Sequence, residues 1–175
     1  MTANRPDDYM HSLVHELCML PVETEWVEFK KNNNNPHVIG EYISALANSA
    51  ALLGKVKAYL AWGVDDQTHD IVGTIFQPRM VKVGNEELES WLLRLLEPKI
   101  NFHFFDVTID SFKVVILEID AAYYHPVCFE GQEFIRVGSY KKKLKDFPEK
   151  ERQFPCLGRR CRFLRKVRAA LRQAM

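Results

Sequence analysis

The chain has 175 residues and a mass of 20.4 kDa, a size that suits one domain with a hydrophobic core. Hydrophobic residues make up 47% and charged residues 27% of the sequence, both ordinary values for a soluble globular protein. The net charge of +1 indicates no partner, and four scattered cysteines without a CxxC pair argue against a structural zinc site or a disulfide framework.

The first half of the chain alternates helices and strands. Leucines at helical spacing predict a helix over residues 7–20, which Pro21 ends. The segment EWVEFK is predicted to be a strand, and NNNNP a loop in which Asn35 and Pro36 open a second helix that runs to about Leu52. The apolar segment VKAYLAWGV predicts a central strand, and we expect IVGTIF to pair with it as a hairpin across the polar turn DDQTHD.

The second half is richer in strands. NEELESWLLRLLEPKI predicts a helix, and FHFFDVTI and KVVILEID predict a hairpin around Asp110 and Ser111. PVCFEGQEFIRVG predicts two short strands around Glu130 and Gly131, SYKKKLKDF a basic loop, and PEKERQ a helix that starts at Pro148. Because the strands cluster as hairpins, we predict an α+β fold with a mixed, mostly antiparallel sheet and packed helices.

Several classes of protein are disfavoured by the absence of their sequence signals. The N-terminal stretch MTANRPDDYMHSLVHEL has early acidic residues and no long apolar run, so we predict no signal peptide. No segment reaches the roughly 18 apolar residues of a membrane span. We find no GxGxxG or Walker loop and expect no nucleotide cofactor in this chain. These absences favour a cytoplasmic protein of bacterial type without a membrane partner.

The C-terminal end differs sharply in charge from the rest of the chain. From Arg152 to Met175 there are eight basic residues and no acidic one, whereas residues 1–151 are net acidic. We therefore predict a domain over 1–151 and a basic tail over 152–175. The tail could neutralise phosphates, lie on an anionic membrane, or be a truncated remnant of a longer protein.

A group of carboxylates is the first candidate site. One helix joins the strands EWVEFK and YLAWGV, so the strands are expected to adjoin, and Glu28 could then meet Asp66 or its neighbour Asp65. Glu23 reaches the same site only from the turn before the strand, because a separation of five residues places it on the opposite face from Glu28. Three such carboxylates would bind Mg²⁺ or Mn²⁺ for phosphodiester hydrolysis, and Lys30 would stabilise charge on the phosphate.

A plainer interpretation of the same residues stays open. Glu23 and Glu25 can be solvent-facing, and Asp65 and Asp66 can simply form a polar turn.

Four segments together resemble the Schlafen AlbA-2 domain over about residues 13–151: ETEWVEFKK, ISALANSAAL, YLAWGVDDQTHDIVG and FIRVGSYKKKLKD. The resemblance implies an α+β sandwich likened to Alba-type proteins, which serves as a nucleic-acid-binding module in bacterial transcriptional regulators. In some animal members the same fold cleaves transfer and ribosomal RNA in a metal-dependent way. Those members use two glutamates and one aspartate. The resemblance places the corresponding residues at Glu23, Glu28 and Asp66, and the lysine of the motif at Lys30.

This chain also differs from the family pattern. It carries ANSAALLGKVKAYL where members often have two glycines after the asparagine, so the approach to the site would differ. The animal nucleases clasp their substrate with two such modules, an arrangement that this chain could reproduce only as a homodimer.

The basic segment RVGSYKKKLKD is the second candidate site. Cations grouped around an aromatic residue suit phosphate contacts and base stacking, and a turn at Gly138 could bring the backbone close to a phosphate. The candidate nucleic-acid-binding residues are Lys30, Lys31, Arg136, Ser139, Tyr140, Lys141, Lys142, Lys143 and Lys145.

Three functions follow as hypotheses. We predict a nucleic-acid-binding domain, for DNA or RNA, that acts as a regulatory module. The alternative is a metal-dependent endoribonuclease that cleaves structured RNA such as transfer RNA through the three carboxylates. A third hypothesis is an interaction module whose acidic body docks a protein.

Overall fold

The computed structural model describes residues 6–20 and 24–154, so Glu23 and the tail beyond Phe154 lie outside the described residues. None of the described helices has the length and apolar character needed to cross a membrane. The α-helices are α1 (Asp7–Cys18), α2 (Pro36–Leu52), α3 (Leu88–Leu95) and α4 (Pro148–Glu151). The strands are β1 (Val27–Lys30), β2 (Lys57–Trp62), β3 (Lys82–Val83), β4 (Glu86–Glu87), β5 (Leu96–Glu97), β6 (Phe102–Ile109), β7 (Phe112–Asp120), β8 (Cys128–Phe129), β9 (Gln132–Val137) and β10 (Tyr140–Lys143).

The larger sheet has the strand order β1-β2-β7-β6. Its first two strands are parallel, with Glu28 opposite Leu60 and Lys30 opposite Trp62, and its other pairs are antiparallel. The predicted adjacency of EWVEFK and YLAWGV is therefore confirmed. A second sheet has the order β10-β9-β8-β5, and β3 and β4 form a separate ribbon. The predicted α+β fold with mostly antiparallel strands is confirmed.

The predicted strand IVGTIF is wrong. Only an isolated bridge joins Val64 to Ile71, and the carbonyl oxygen of Gly63 accepts from the backbone N–H groups of Val72 and Gly73 at 2.9 and 3.0 Å. Gly63 and Gly73 have φ angles of +94° and +78°, which lie outside the extended region and interrupt strand pairing.

Tight turns behave as the sequence predicts in the β6–β7 and β8–β9 hairpins. Asp110 and Ser111 have φ angles of +47° and +72°, the conformation that both central residues of a type I′ turn require. Glu130 and Gly131, at +50° and +78°, make the turn between β8 and β9.

The predicted basic loop is instead a strand. Tyr140 pairs with Val137 and Lys143 with Phe134, so SYKKK returns antiparallel to β9. The two residues between the strands form the turn, and Gly138 has a φ of +60°. A high density of lysine hid this strand, because strand propensity is low for lysine even though an outermost strand tolerates it.

The molecule is layered as α1, the larger sheet, α2 with α3, and the second sheet. The α1 layer packs Leu13 and Leu17 against Phe29. On the other face of the sheet, Ile43 of α2 packs in the cluster that holds Trp62. Because α2 lies between two sheets, its small residues ISALANSAA are almost all buried.

Replacing Gly40 of α2 with alanine is expected to lower the free energy of unfolding by about 1–3 kcal/mol, although alanine favours a helix more than glycine does. A Cβ at this position would lie 2.2 Å from Cε2 of the buried Phe129 ring, so the ring would have to move. Urea denaturation measures the change. A second substitution, Phe129→Leu, should recover part of the loss, whereas an unchanged or increased stability of Gly40→Ala would contradict the tight packing.

Candidate functional site

Polar side chains of α2 hold β9 in place. Asn48 donates through Nδ2 to the carbonyl oxygens of Val127 and Phe134 at 2.9 and 2.8 Å and accepts from the N–H of Val127 at 2.7 Å. Ser44 donates to the carbonyl oxygen of Val127 at 2.7 Å and accepts from the N–H of Phe134 at 3.0 Å. These buried side chains take the hydrogen bonds that a neighbouring strand would make, so they fix the position of β9 and, through it, of β10.

A buried ion pair joins the two sheets. Arg136 of β9 is 0% exposed and Glu28 of β1 is 2% exposed, and the Arg136 guanidinium pairs with Oε2 of Glu28. Oε1 of Glu28 pairs with the Lys30 ammonium and accepts a hydrogen bond from the Tyr42 hydroxyl at 2.9 Å. The backbone N–H of Arg136 donates to Oγ of Ser49 at 2.8 Å. Both charges are thus matched inside the protein, as buried charges require.

This placement changes the predicted role of Arg136. The sequence grouped it with the nucleic-acid-binding residues, but alternation along β9 turns its side chain inward, on the same face as Phe134. A fully buried guanidinium paired with Glu28 makes no surface for a ligand, so Arg136 is corrected to an internal residue.

The ring of Tyr42 lies among three cations. Its centroid is 4.6 Å from Nζ of Lys141, 5.1 Å from Nζ of Lys30 and 5.8 Å from Cζ of Arg136, distances at which a cation is attracted to the ring face. The Lys141 ammonium also pairs with Glu41. Two of the candidate nucleic-acid-binding lysines, Lys30 and Lys141, are therefore engaged inside this network.

Glu25 anchors the turn between β9 and β10, contrary to the expectation that it faces solvent. Its carboxylate accepts from the backbone N–H of Gly138 at 2.9 Å and pairs with the Lys150 ammonium of α4 at 3.2 Å. The Gly138 N–H is therefore occupied by a carboxylate.

The remaining lysines of the segment are exposed. Tyr140 is 69% exposed, and Lys142 Nζ lies 5.6 Å from the centroid of its ring. Lys143 and Lys145 are also exposed, as is Ser139 in the turn. We call Tyr140, Lys142, Lys143 and Lys145 the lysine-strand surface, in which Lys143 lies on the opposite face of β10 from Tyr140 and Lys142. It lies on β10 and the turn that follows, at the outer position of the second sheet in the described part of the chain.

Asp65 and Asp66 follow β2 in a polar turn. Asp65 accepts from the backbone N–H groups of Gln67 and Thr68 at 2.8 and 3.0 Å and pairs with Lys31 at 2.6 Å. The Lys31 ammonium, together with these N–H groups, holds the pKa of the Asp65 carboxyl well below its usual range. Asp66 is exposed and close enough to Lys31 to raise the pKa of that lysine, after the larger effect of Asp65.

The described part of the chain holds no complete set of ligands for a divalent cation. Across 6–20 and 24–154, no three histidine, cysteine, aspartate or glutamate side chains are grouped as metal ligands. Both oxygens of Glu28 face cationic groups or the Tyr42 hydroxyl, and a cation there would meet Arg136 at close range. Glu23 lies outside the described residues, so the site of Glu23, Glu28 and Asp66 stays a prediction.

Sequence reasoning missed the internal network, although a signal for it exists. Arg136 interrupts the apolar segment FIRV and Glu28 the apolar segment WVEF. A charged side chain that points into the interior from a buried strand needs a partner of opposite sign. Pairing these two interruptions would have indicated the ion pair, whereas no pattern in the sequence indicated Tyr42 or Glu41.

A comparison with curated protein sequences finds no match. Among solved structures, the DIP2311 protein from Corynebacterium diphtheriae has a TM-score of 0.49 and 15% identity, covering 78% of this chain and 30% of that one. The N-terminal domain of a RecG-related protein from Nitrosomonas europaea has a TM-score of 0.44 and 18% identity, covering 68% of this chain and 75% of that one. The chain thus spans less than a third of the Corynebacterium protein.

The sequence matches the model of one protein family. Residues 23–145 match the model of the family described as Schlafen, AlbA_2. This match includes β1, α2, the DDQTHD turn and the whole β9–β10 hairpin. The chain belongs to the Schlafen AlbA_2 family.

Proposed function

We propose that this domain binds the phosphate backbone of nucleic acid through the lysine-strand surface. The observation that carries the proposal is the exposure of Lys142, Lys143 and Lys145 within four residues of one another. None of the three has an acidic partner in the part of the chain that the structure describes. Unpaired cations so close together attract a polyanion and release its condensed counterions.

The scaffold beneath this surface supports the proposal. Glu25 anchors the turn before Tyr140, and Asn48 and Ser44 fix β9 next to it. Backbone pairing between β9 and β10 then holds the lysine backbones in place without an ordering cost at the moment of binding. Membership of the Schlafen AlbA_2 family supports a nucleic-acid ligand as well.

A structural explanation of the same lysines competes with this proposal. Outermost strands often carry lysine because the charge prevents edge-to-edge aggregation. That explanation requires no ligand and predicts that changing the lysines affects solubility alone, so a binding measurement separates the two.

The test is a charge reversal, Lys142→Glu with Lys143→Glu, measured by fluorescence anisotropy against labelled transfer RNA, single-stranded DNA and duplex DNA. If three lysines contact phosphates, the slope of log affinity against log salt is about −2 to −3, and the double variant reduces its magnitude by about 2. We expect at least a tenfold loss of affinity at low salt. Cleavage of the transfer RNA in Mn²⁺, stopped by a chelator, would reveal the endoribonuclease activity that the family resemblance implies.

The matched control is Arg79→Glu with Lys82→Glu, which makes the same change in net charge at exposed positions outside the second sheet. Equal losses in the two double variants would point to a general effect of net charge and overturn the assignment of the surface. Binding that does not depend on salt, or no binding of the wild type at 50 mM salt, would overturn the proposed function.

A further inference from the structure

Tyr140 is an exposed aromatic residue on the outer strand of the second sheet. It is 69% exposed, and its ring is accompanied by Lys142 two residues along the same face. Two strand residues span about 6.7 Å, which is near the length of one nucleotide in an extended single strand. The face therefore offers an exposed aromatic ring with an ammonium 5.6 Å from its centroid, the two kinds of group that bind a base and an adjoining phosphate.

From this arrangement we infer that the lysine-strand surface takes single-stranded nucleic acid, with one unpaired base stacked on the ring of Tyr140. The inference rests on the proposed function, since it names the class of nucleic acid that the same surface binds. It assigns Tyr140 to the base and Lys142, on the same face of β10, to the adjoining phosphate.

The physical reason for a single strand lies in what a tyrosine ring can reach. In a duplex, each base is stacked on both sides and pairs with its partner, so an aromatic side chain meets an open base face only if the helix is disrupted at a cost of a few kcal/mol. An unpaired base exposes its face without that cost. Stacking on an aromatic side chain does not select among bases, because every base has such a face.

The ring is positioned for this role by its neighbours. Tyr140 pairs through its backbone with Val137, the residue before the anchored turn, so the Cα position is fixed by Glu25 and Gly138. Lys142 Nζ is 5.6 Å from the ring centroid, within the range in which a cation stabilises an aromatic partner. A ring held on a paired strand loses less freedom on stacking than one on a mobile loop.

The test compares Tyr140→Ala and Tyr140→Phe on a 12-nucleotide single strand and on the duplex of the same sequence. We expect Tyr140→Ala to weaken binding to the single strand about tenfold, in line with the loss of one stacked base, and to change binding to the duplex less than twofold. Tyr140→Phe keeps the ring and should bind as the wild type does. The salt dependence should not change in either variant, because no phosphate contact is removed.

Tyr124→Ala is the matched control, since Tyr124 is a 75% exposed tyrosine between β7 and β8 and is not part of the lysine-strand surface. Equal effects of Tyr140→Ala on single strand and duplex, no effect on either, or the same loss in Tyr124→Ala would overturn the inference. If the stacking inference is overturned but Lys142→Glu with Lys143→Glu still abolishes binding, the proposed function is retained without the role of Tyr140. If the wild type binds neither nucleic acid, both fail.

Discussion

Arg136→Met is expected to lower the free energy of unfolding by about 3 kcal/mol, the low end of the cost of removing one partner from a buried ion pair. The Glu28 carboxylate would keep Lys30 and the Tyr42 hydroxyl as partners and would lose the guanidinium that is fully enclosed with it. Urea denaturation at neutral pH, followed by circular dichroism, gives the change. The loss should be accompanied by weaker packing of β9 on α2, visible as faster amide exchange in that strand.

A double-mutant cycle separates the ion pair from the packing of the arginine side chain. Glu28→Gln with Arg136→Met removes both charges while the glutamine still accepts from Tyr42, so the double variant should lose less stability than the sum of the single ones. The exposed arginine Arg94, paired with Glu86 at 2.9 Å, offers a control, and Arg94→Met should cost less than about 1 kcal/mol. Additive losses at positions 28 and 136, or an Arg136→Met effect as small as the control, would contradict a strong pair.

The second large effect is expected from Asn48→Ala, also about 3 kcal/mol. The substitution removes the partners of the Val127 N–H and the Phe134 carbonyl oxygen in the interior, and each buried group left unpaired costs about 1–3 kcal/mol. The Val127 carbonyl oxygen keeps Ser44 as a donor, which limits the loss. Equilibrium denaturation measures this change, and the affected strand is again β9.

Asn34→Ala controls for the chemistry of the substitution, because Asn34 is exposed in the loop before α2 and should change stability by less than about 0.5 kcal/mol. Asn48→Asp extends the test. It retains an acceptor for the Val127 N–H but cannot donate to the two carbonyl oxygens, so it should be at least as destabilising as alanine. If either substitution at position 48 lowers the free energy of unfolding by less than about 1 kcal/mol, the hydrogen bonds from Asn48 to the backbone do not replace those of a neighbouring strand.

Both variants connect stability to the proposed binding surface. Arg136 and Asn48 touch no exposed lysine, yet both hold β9, to which the lysine strand is paired. At temperatures where either variant remains folded, binding to nucleic acid should therefore be retained with the wild-type salt dependence, since the phosphate-contacting groups are still present.

Local signals predicted most of the architecture. The Asn35 cap, whose side chain accepts from the N–H groups of His37 and Val38, and the Asp110–Ser111 turn depend on neighbours within a few residues, so the sequence specifies them directly. Failures occurred where local signals misled. Apolar residues in IVGTIF suggested a strand that two glycines interrupt, and lysines in SYKKK concealed a strand that backbone pairing supplies.

The candidate site likewise has features that the local sequence indicates and features that only the tertiary structure decides. From residue types and order alone came the family resemblance, the adjacency of EWVEFK and YLAWGV, and the grouping of cations with Tyr140. Only the tertiary structure decided which of those cations face outward. Arg136 and Lys143 lie seven residues apart in one hairpin, yet the first is enclosed with Glu28 and the second is exposed. The reason is that Arg136 lies on the inner strand β9, where α2 with Tyr42 covers it, whereas Lys143 lies on β10 at the outer position of the sheet. The covering layer comes from residues about a hundred positions away in the chain.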